Sequence, residues 1–172
     1  MHSVDKALKS KLFKLIIIVS NVPIKIIKDK SIKVIKGGKE RYQSSQKALN
    51  FLKNKKIKNV FIHDAARPNF SIKLLKKLSA YLKNNKAVVP FVKTDSSTKY
   101  KDGNMLQNLD RDKLIFTQTP QCFDYKTICH DYYKFFCNIF LNYVCFVKKK
   151  FVYYSNIFIN YFSRFSNVFN IY

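Results

Sequence analysis

The residues whose chemistry stands out are His63-Asp64-Ala65-Ala66-Arg67-Pro68, delivered by the short apolar run Val60-Phe61-Ile62. Branched and aromatic residues bounded by Asn59 and Pro68 read as a buried strand, and open α/β sheets bind ligands just past the carboxyl ends of their strands. Asp64 then sits at a strand tip, where a carboxylate can hold a hard cation such as Mg²⁺ through oxygen. Arg67 offers a planar fork of donors that suits phosphate, and the small Ala65 and Ala66 leave room for a ligand. The same residues also allow a plainer reading, in which Asp64 caps the helix opening at Ser71 and pairs with an arginine. A second candidate is Gly37-Gly38, which follows another apolar run; without side chains, its backbone N–H and C=O can approach a flat ligand closely. Ser44, one helical turn further on, could hydrogen-bond the edge of a base.

These groups must be held by a regular alternation of strands and helices. Val4, Ala7, Leu8 and Leu12 recur at helical spacing over His2 to Phe13, with Ser3 as a possible cap and Asp5 in the first turn, where the helix dipole favours it. Leu15-Ile16-Ile17-Ile18-Val19 is a continuous β-branched run, the pattern of a strand buried on both faces. Ile32-Lys33-Val34-Ile35 reads as the next strand, Arg41 to Leu52 as a helix, Val60 to Ile62 as a strand, Ser71 to Asn85 as a helix and Ala87 to Val92 as a strand. Such alternation predicts right-handed crossovers and an α/β fold, Rossmann-like and doubly wound, with a mostly parallel sheet. From Lys93 to Thr117 the rhythm stops, which predicts an excursion containing a hairpin that turns at Asp102-Gly103-Asn104. Leu114-Ile115-Phe116 returns to the sheet, and a helix follows near Asp124.

The chain has 172 residues and a formal charge of +23, enough length for one domain with a real core. The charge raises nucleic acid or an anionic membrane as partner, yet the lysines alternate with apolar residues, as in Lys73, Lys76 and Lys77 among Leu74, Leu75 and Leu78. That is the pattern of a solvated helix face, so neither partner is expected. Cys122, Cys129, Cys137 and Cys145 are spaced by seven or eight, which on a helix keeps them on one face and supplies no tight metal cluster; reduced, packed thiols are expected. A polar start and a short first apolar run predict a cytoplasmic protein. Residues 132 to 172 contain no Asp, Glu, Ala, Gly, Pro or Thr, and lysines and asparagines interrupt every apolar run below the ~20 residues a membrane helix needs. This tail is expected to lie outside the native fold, as A/T-rich sequence read in another frame would.

Taken together, Val34-Ile35-Lys36-Gly37-Gly38-Lys39-Glu40-Arg41-Tyr42-Gln43-Ser44-Ser45-Gln46-Lys47-Ala48-Leu49, then Val60 to Pro68, then Arg111 and Thr119-Pro120-Gln121-Cys122-Phe123, resemble the 2-C-methyl-D-erythritol 4-phosphate cytidylyltransferase family in order and spacing. The resemblance covers residues 2 to about 131. It implies transfer of CMP from CTP to 2-C-methyl-D-erythritol 4-phosphate with release of pyrophosphate, the third step of the non-mevalonate isoprenoid route. It implies that Gly37, Gly38 and Ser44 line a cytosine pocket supported by Arg41 and that Asp64 holds Mg²⁺ between phosphates. Arg67, Arg111 and Thr119 would contact the sugar alcohol phosphate, with Asp64 and Arg67 carrying the catalysis. It also implies a homodimer, in which an arm at about 93 to 117 crosses to the partner and Arg111 serves the partner's site.

Family members open with a strand and a Gly-rich, Arg-bearing loop that cradles the triphosphate, whereas this sequence starts at the helix beyond it. Gly37, Gly38 and Gly103 are its glycines. An incomplete fold, slow or absent turnover and an unpaired central sheet edge are therefore expected. Three other readings stay open: an inactive truncated or frame-shifted fragment of the same enzyme, a ribitol-5-phosphate cytidylyltransferase, and a basic RNA- or membrane-binding module.

Overall fold

The computed structural model describes residues 2–25, 29–134 and 151–154. Strands and helices alternate as α1 (His2–Ser10), β1 (Ile16–Ser20), β2 (Ile32–Lys36), α2 (Arg41–Leu52), β3 (Asn59–Ile62), α3 (Ile72–Leu82) and β4 (Ala87–Lys93). After them come the hairpin β5 (Lys99–Asp102) and β6 (Met105–Asn108), then β7 (Ile115–Thr117), β8 (Gln121–Asp124), α4 (Tyr125–Lys134) and β9 (Phe151–Tyr154).

Period-two alternation along the strands builds two apolar layers. On one face Phe61, Val88 and Cys122 meet Leu74, Leu75, Leu78 and Leu82 of α3. On the other, Val60, Ala87 and Phe123 meet Leu49 and Leu52 of α2 and Ile128 of α4. Adjacent residues of β4 and β8 thus point into opposite cores, so helices cover both faces as the alternation predicts. α3 holds its stripe of leucines because Ser71 caps it, the hydroxyl accepting from Leu74 N at 3.0 Å. The cap is therefore Ser71 itself and not Asp64. At the other end of the chain α1 already includes Ser3, so that serine is no cap; it faces inward and is buried.

The strands form a mixed arrangement. β1 and β2 pair in parallel, while β3, β8, β4 and β7 form a second sheet in that order, each neighbouring pair antiparallel. β9 lies parallel to β4. The antiparallel elements that make the sheet mixed are β7, beside β4, and β8, four residues with polar ends that insert between β3 and β4. Cys122 lies on this strand and not on a helix; it is fully buried, and burial pushes its thiol well above the ordinary range. Cys122 and Cys129 are both free thiols, while Cys137 and Cys145 fall outside the described residues. Of the tail, α4 extends to Lys134 and Phe151–Tyr154 is the strand β9; 135–150 and 155–172 lie outside the described residues. The predicted hairpin is present, turning at Gly103 with φ of 54°.

β1 and β3 are not paired with each other. Ile16 N donates to Ser31 O and Ser20 O accepts from Gly37 N, so the backbone groups of Ile17 and Val19 turn away from β2. Tyr125 N donates to Lys58 O, which by the same alternation turns those of Asn59 and Phe61 away from β8. Both edges, unpaired among the described residues, border one cavity of about 360 Å³, also lined by Ala48 and Leu49 of α2 and by Phe13. Ser45 also lines it, and among the described residues its buried hydroxyl has no hydrogen-bond partner.

Candidate active site

The site is built at the carboxyl ends of β2 and β3. Asp64 follows β3, and its carboxylate is the centre. Oδ1 accepts from Ala66 N at 3.0 Å, which with the Arg67 N to Asp64 O bond at 2.9 Å folds residues 64–67 into a tight turn. Oδ2 meets Arg41 Nη2 at 3.3 Å and Arg67 Nε at 3.9 Å. Arg41 opens α2, so this ion pair joins the β1–β2 half of the molecule to the β3 half. Only 13% of the Asp64 side chain is exposed, whereas the side chains of Arg41 and Arg67 stay about half exposed. An anionic ligand therefore finds cationic donors facing solvent around a fixed carboxylate. Arg67 Nη1 donates to Gln118 Oε1, and Gln118 is itself anchored by its backbone N–H on Pro90 O at 2.7 Å.

Thr119 is brought against Asp64 by the β7–β8 loop, whose Thr119-Pro120 peptide is cis. Its Oγ1 accepts from Asp64 N at 3.3 Å and lies 3.0 Å from His63 Nδ1. The other ring nitrogen of His63 lies 3.2 Å from Ser3 Oγ, and Phe70 packs edge-on against the imidazole at 4.5 Å. Burial pushes the pKa of His63 down to about 4, with Arg67 and Lys6 adding to the fall and Asp64 opposing it, so the ring is neutral near neutral pH.

The second pocket wall is the turn after β2. Gly38 N donates to Ser44 Oγ at 3.0 Å, Gly38 O accepts from Asn21 Nδ2 at 2.9 Å, and Gly37 O accepts from Lys47 Nζ at 2.6 Å. The Ser44 hydroxyl is thus engaged with its own loop. A Cβ on Gly38 would fall 2.2 Å from Gln43 Cβ, so glycine is required there by the return of α2. The capping interaction explains that return: Gln43 Oε1 accepts from Lys39 N at 2.8 Å and Glu40 N at 3.1 Å.

Of the residues singled out in the sequence, Arg41, Asp64, Arg67 and Thr119 come together in one corner, and Gly37, Gly38 and Ser44 form its neighbouring wall. β2 and β3 are not sheet neighbours, since β1 and the cavity lie between them. Arg111 lies apart, exposed in a 3₁₀ turn at Arg111–Lys113, with no ion pair or hydrogen bond to this corner among the described residues. Sequence reasoning read Ser3 only as a cap and did not single out Asn21 or Gln118 for the site; each acts through a contact between distant segments, which no local spacing reveals. His63 was within the motif, and its burial beside a polar loop is what makes it notable.

Among the described residues no three His, Cys, Asp or Glu side chains gather around one point. Asp64 alone fits Mg²⁺ as one oxygen ligand among substrate phosphates and waters, the usual way this ion is held.

Comparison with known proteins gives the family. The family model for 2-C-methyl-D-erythritol 4-phosphate cytidylyltransferase covers residues 1–136. The chain is 45% identical over 132 residues to the bifunctional enzyme IspD/IspF of Pelagibacter ubique, covering 74% of this chain and 36% of that protein. It is 40% identical over 101 residues to the 2-C-methyl-D-erythritol 4-phosphate cytidylyltransferase of Clostridium beijerinckii, covering 56% of this chain and 44% of that one. The crystal structure of 4-diphosphocytidyl-2C-methyl-D-erythritol synthase from Anaerococcus prevotii superposes with a TM-score of 0.74 at 26% identity, over 90% of this chain and 74% of that one. The chain thus spans less than half the length of these two curated relatives. With a family model spanning most of its residues and a solved fold of the same kind beneath them, this chain belongs to the 2-C-methyl-D-erythritol 4-phosphate cytidylyltransferase family.

Proposed function

We propose that this chain forms the nucleotide- and sugar-phosphate-binding part of a cytidylyltransferase that joins CTP to 2-C-methyl-D-erythritol 4-phosphate. The observation that carries the reading is the Asp64 corner, where one nearly buried carboxylate is held between Arg41 and Arg67 beside the Thr119 hydroxyl. In the proposed reaction a phosphate oxygen of the sugar alcohol phosphate attacks the α-phosphorus of CTP in line, and the bond to the β-phosphate oxygen breaks, releasing pyrophosphate. Such transfers depend on positioning and on neutralising charge that builds on the phosphoryl oxygens. Arg67, steadied by Gln118, would clamp the sugar phosphate. Arg41 would shield the nucleotide phosphates, and the Gly37-Gly38 turn with Ser44 would seat the cytosine ring. Asp64 would hold Mg²⁺, which when bound supplies positive charge to the phosphates.

We further propose a homodimer through the arm. Tyr100, Met105, Leu106 and Phe116 are 54%, 67%, 61% and 48% exposed, an apolar surface along the hairpin and β7 that a second copy would cover. Arg111 stands on the same excursion and would then reach the partner's site.

The test is pyrophosphate release, with CTP and each candidate acceptor, by this chain extended to the length of its curated relatives. Release with 2-C-methyl-D-erythritol 4-phosphate and not with ribitol 5-phosphate supports the reading. Release with ribitol 5-phosphate alone, or none with either, contradicts it.

A further inference from the structure

We infer that His63 is a positioning residue that, carrying its proton on Nδ1 and accepting at Nε2, leaves the Thr119 hydroxyl free to donate its hydrogen to an anionic ligand in the Asp64 corner. The inference rests on the reading of that corner as a phosphate site, and it follows from accounting for the protons of one buried chain of groups. Ser3 is 6% exposed, and among the described residues His63 Nε2 is the acceptor within reach of its hydroxyl. Were Nε2 protonated, it would donate to Ser3 Oγ and leave the serine proton buried without an acceptor, a costly arrangement. Ser3 therefore donates to Nε2, and a neutral imidazole with an accepting Nε2 carries its hydrogen on Nδ1.

That proton points at Thr119 Oγ1, 3.0 Å away. Thr119 Oγ1 also accepts from Asp64 N. With both lone pairs occupied, its own hydrogen has one direction left, outward, and Thr119 is only partly buried. The opposite tautomer would draw the threonine hydrogen onto Nδ1 and present the ligand with no donor. One buried serine on α1 thus sets the polarity of a hydroxyl in the site.

The ring is held from three segments. From α1 come Ser3 and Lys6, whose ammonium is held on Pro68 O at 2.7 Å and over the Phe70 ring at 5.3 Å. From the segment after β3 come Asp64, Arg67 and Phe70, and from the β7–β8 loop comes Thr119.

The deciding experiment is ¹⁵N-edited NMR of the imidazole at pH 7 in the full chain, reading which ring nitrogen bears hydrogen. A single species protonated on Nδ1 is expected. A species protonated on Nε2, or an even mixture, overturns the inference whatever the activity. Ser3→Ala removes the donor and should shift the population toward Nε2–H, while Ser3→Thr, which keeps a hydroxyl, should restore Nδ1–H; equal spectra for all three also overturn it. In turnover, Ser3→Ala should raise KM for the sugar phosphate about tenfold with kcat within about twofold, because ground-state and transition-state binding lose the same donor. An Nδ1–H ring in a protein that does not release pyrophosphate would overturn the proposed function and leave this inference standing.

Discussion

The two borders of β3 differ. Toward β8 every element is tied down: the strand pairs in register from Asn59 to Ile62, Tyr125 N closes the ladder on Lys58 O, and Thr119 and Gln118 bond across to Asp64 and Arg67. Toward β1 the strand faces a cavity of about 360 Å³, two edges whose backbone groups have no strand partner among the described residues, and a serine hydroxyl without a mate. Asp64 and Arg67 are therefore anchored from the β8 side, whereas the Gly37-Gly38 wall reaches them through helix packing and the Arg41–Asp64 pair. Such an arrangement can hold the corner firmly while the two halves of the sheet are joined loosely.

The contrast can be broken most severely in the dense cluster. Leu78, 1% exposed on α3, should cost about 2–5 kcal/mol on substitution by alanine, because surrounding side chains cannot collapse into the void. Ile17→Ala, beside an existing cavity, should cost clearly less; chemical denaturation of both reads the difference, and equal losses would show that the two borders are equally packed. The pH dependence of stability should come next. The imidazole of His63 has its pKa lowered from 6.5 to about 4, so the unfolded chain takes up the proton first as pH falls. Its contribution is fully present above pH 6.5 and is lost as pH falls toward 4, by about 3 kcal/mol at most. Unfolding midpoints across that window should slope for the native chain and flatten in His63→Gln. Ser71→Ala removes the α3 cap and should cost about 1 kcal/mol in the same assay. Smallest, and opposite in sign, Ser45→Ala should stabilise by up to about 1 kcal/mol, since it removes a buried hydroxyl with no partner among the described residues. A loss there would mean that the hydroxyl is satisfied.

These contrasts also show what could be read from residues alone. The bounds of α2 at Arg41 and Leu52 match the periodicity, and the hairpin turns where Asp102-Gly103-Asn104 marks it, since local spacing and a positive φ at glycine are written locally. β8 could not be read: four residues with polar ends carry too little pattern, and their strand character comes from sitting between β3 and β4. The site divides the same way. Asp64, Arg67 and Thr119 were legible through motif and resemblance, but the Arg41–Asp64 pair and the Ser3–His63–Thr119 chain span 23, 60 and 56 residues, so only the folded chain reveals them. Ser3 shows the cost of local reading, since its type and place suggest a cap while its hydroxyl serves a distant ring.

The most direct test of the central claim is pyrophosphate release from CTP and 2-C-methyl-D-erythritol 4-phosphate by this chain extended to the length of its curated relatives and by the Asp64→Asn variant of that protein, with thermal unfolding followed in parallel. The account predicts Mg²⁺-dependent release that falls by about 10²-fold or more in Asp64→Asn, with little change in the unfolding midpoint, because that carboxylate serves the phosphates more than the packing. Equal release by the two proteins, or loss of release only through loss of the fold, would contradict it.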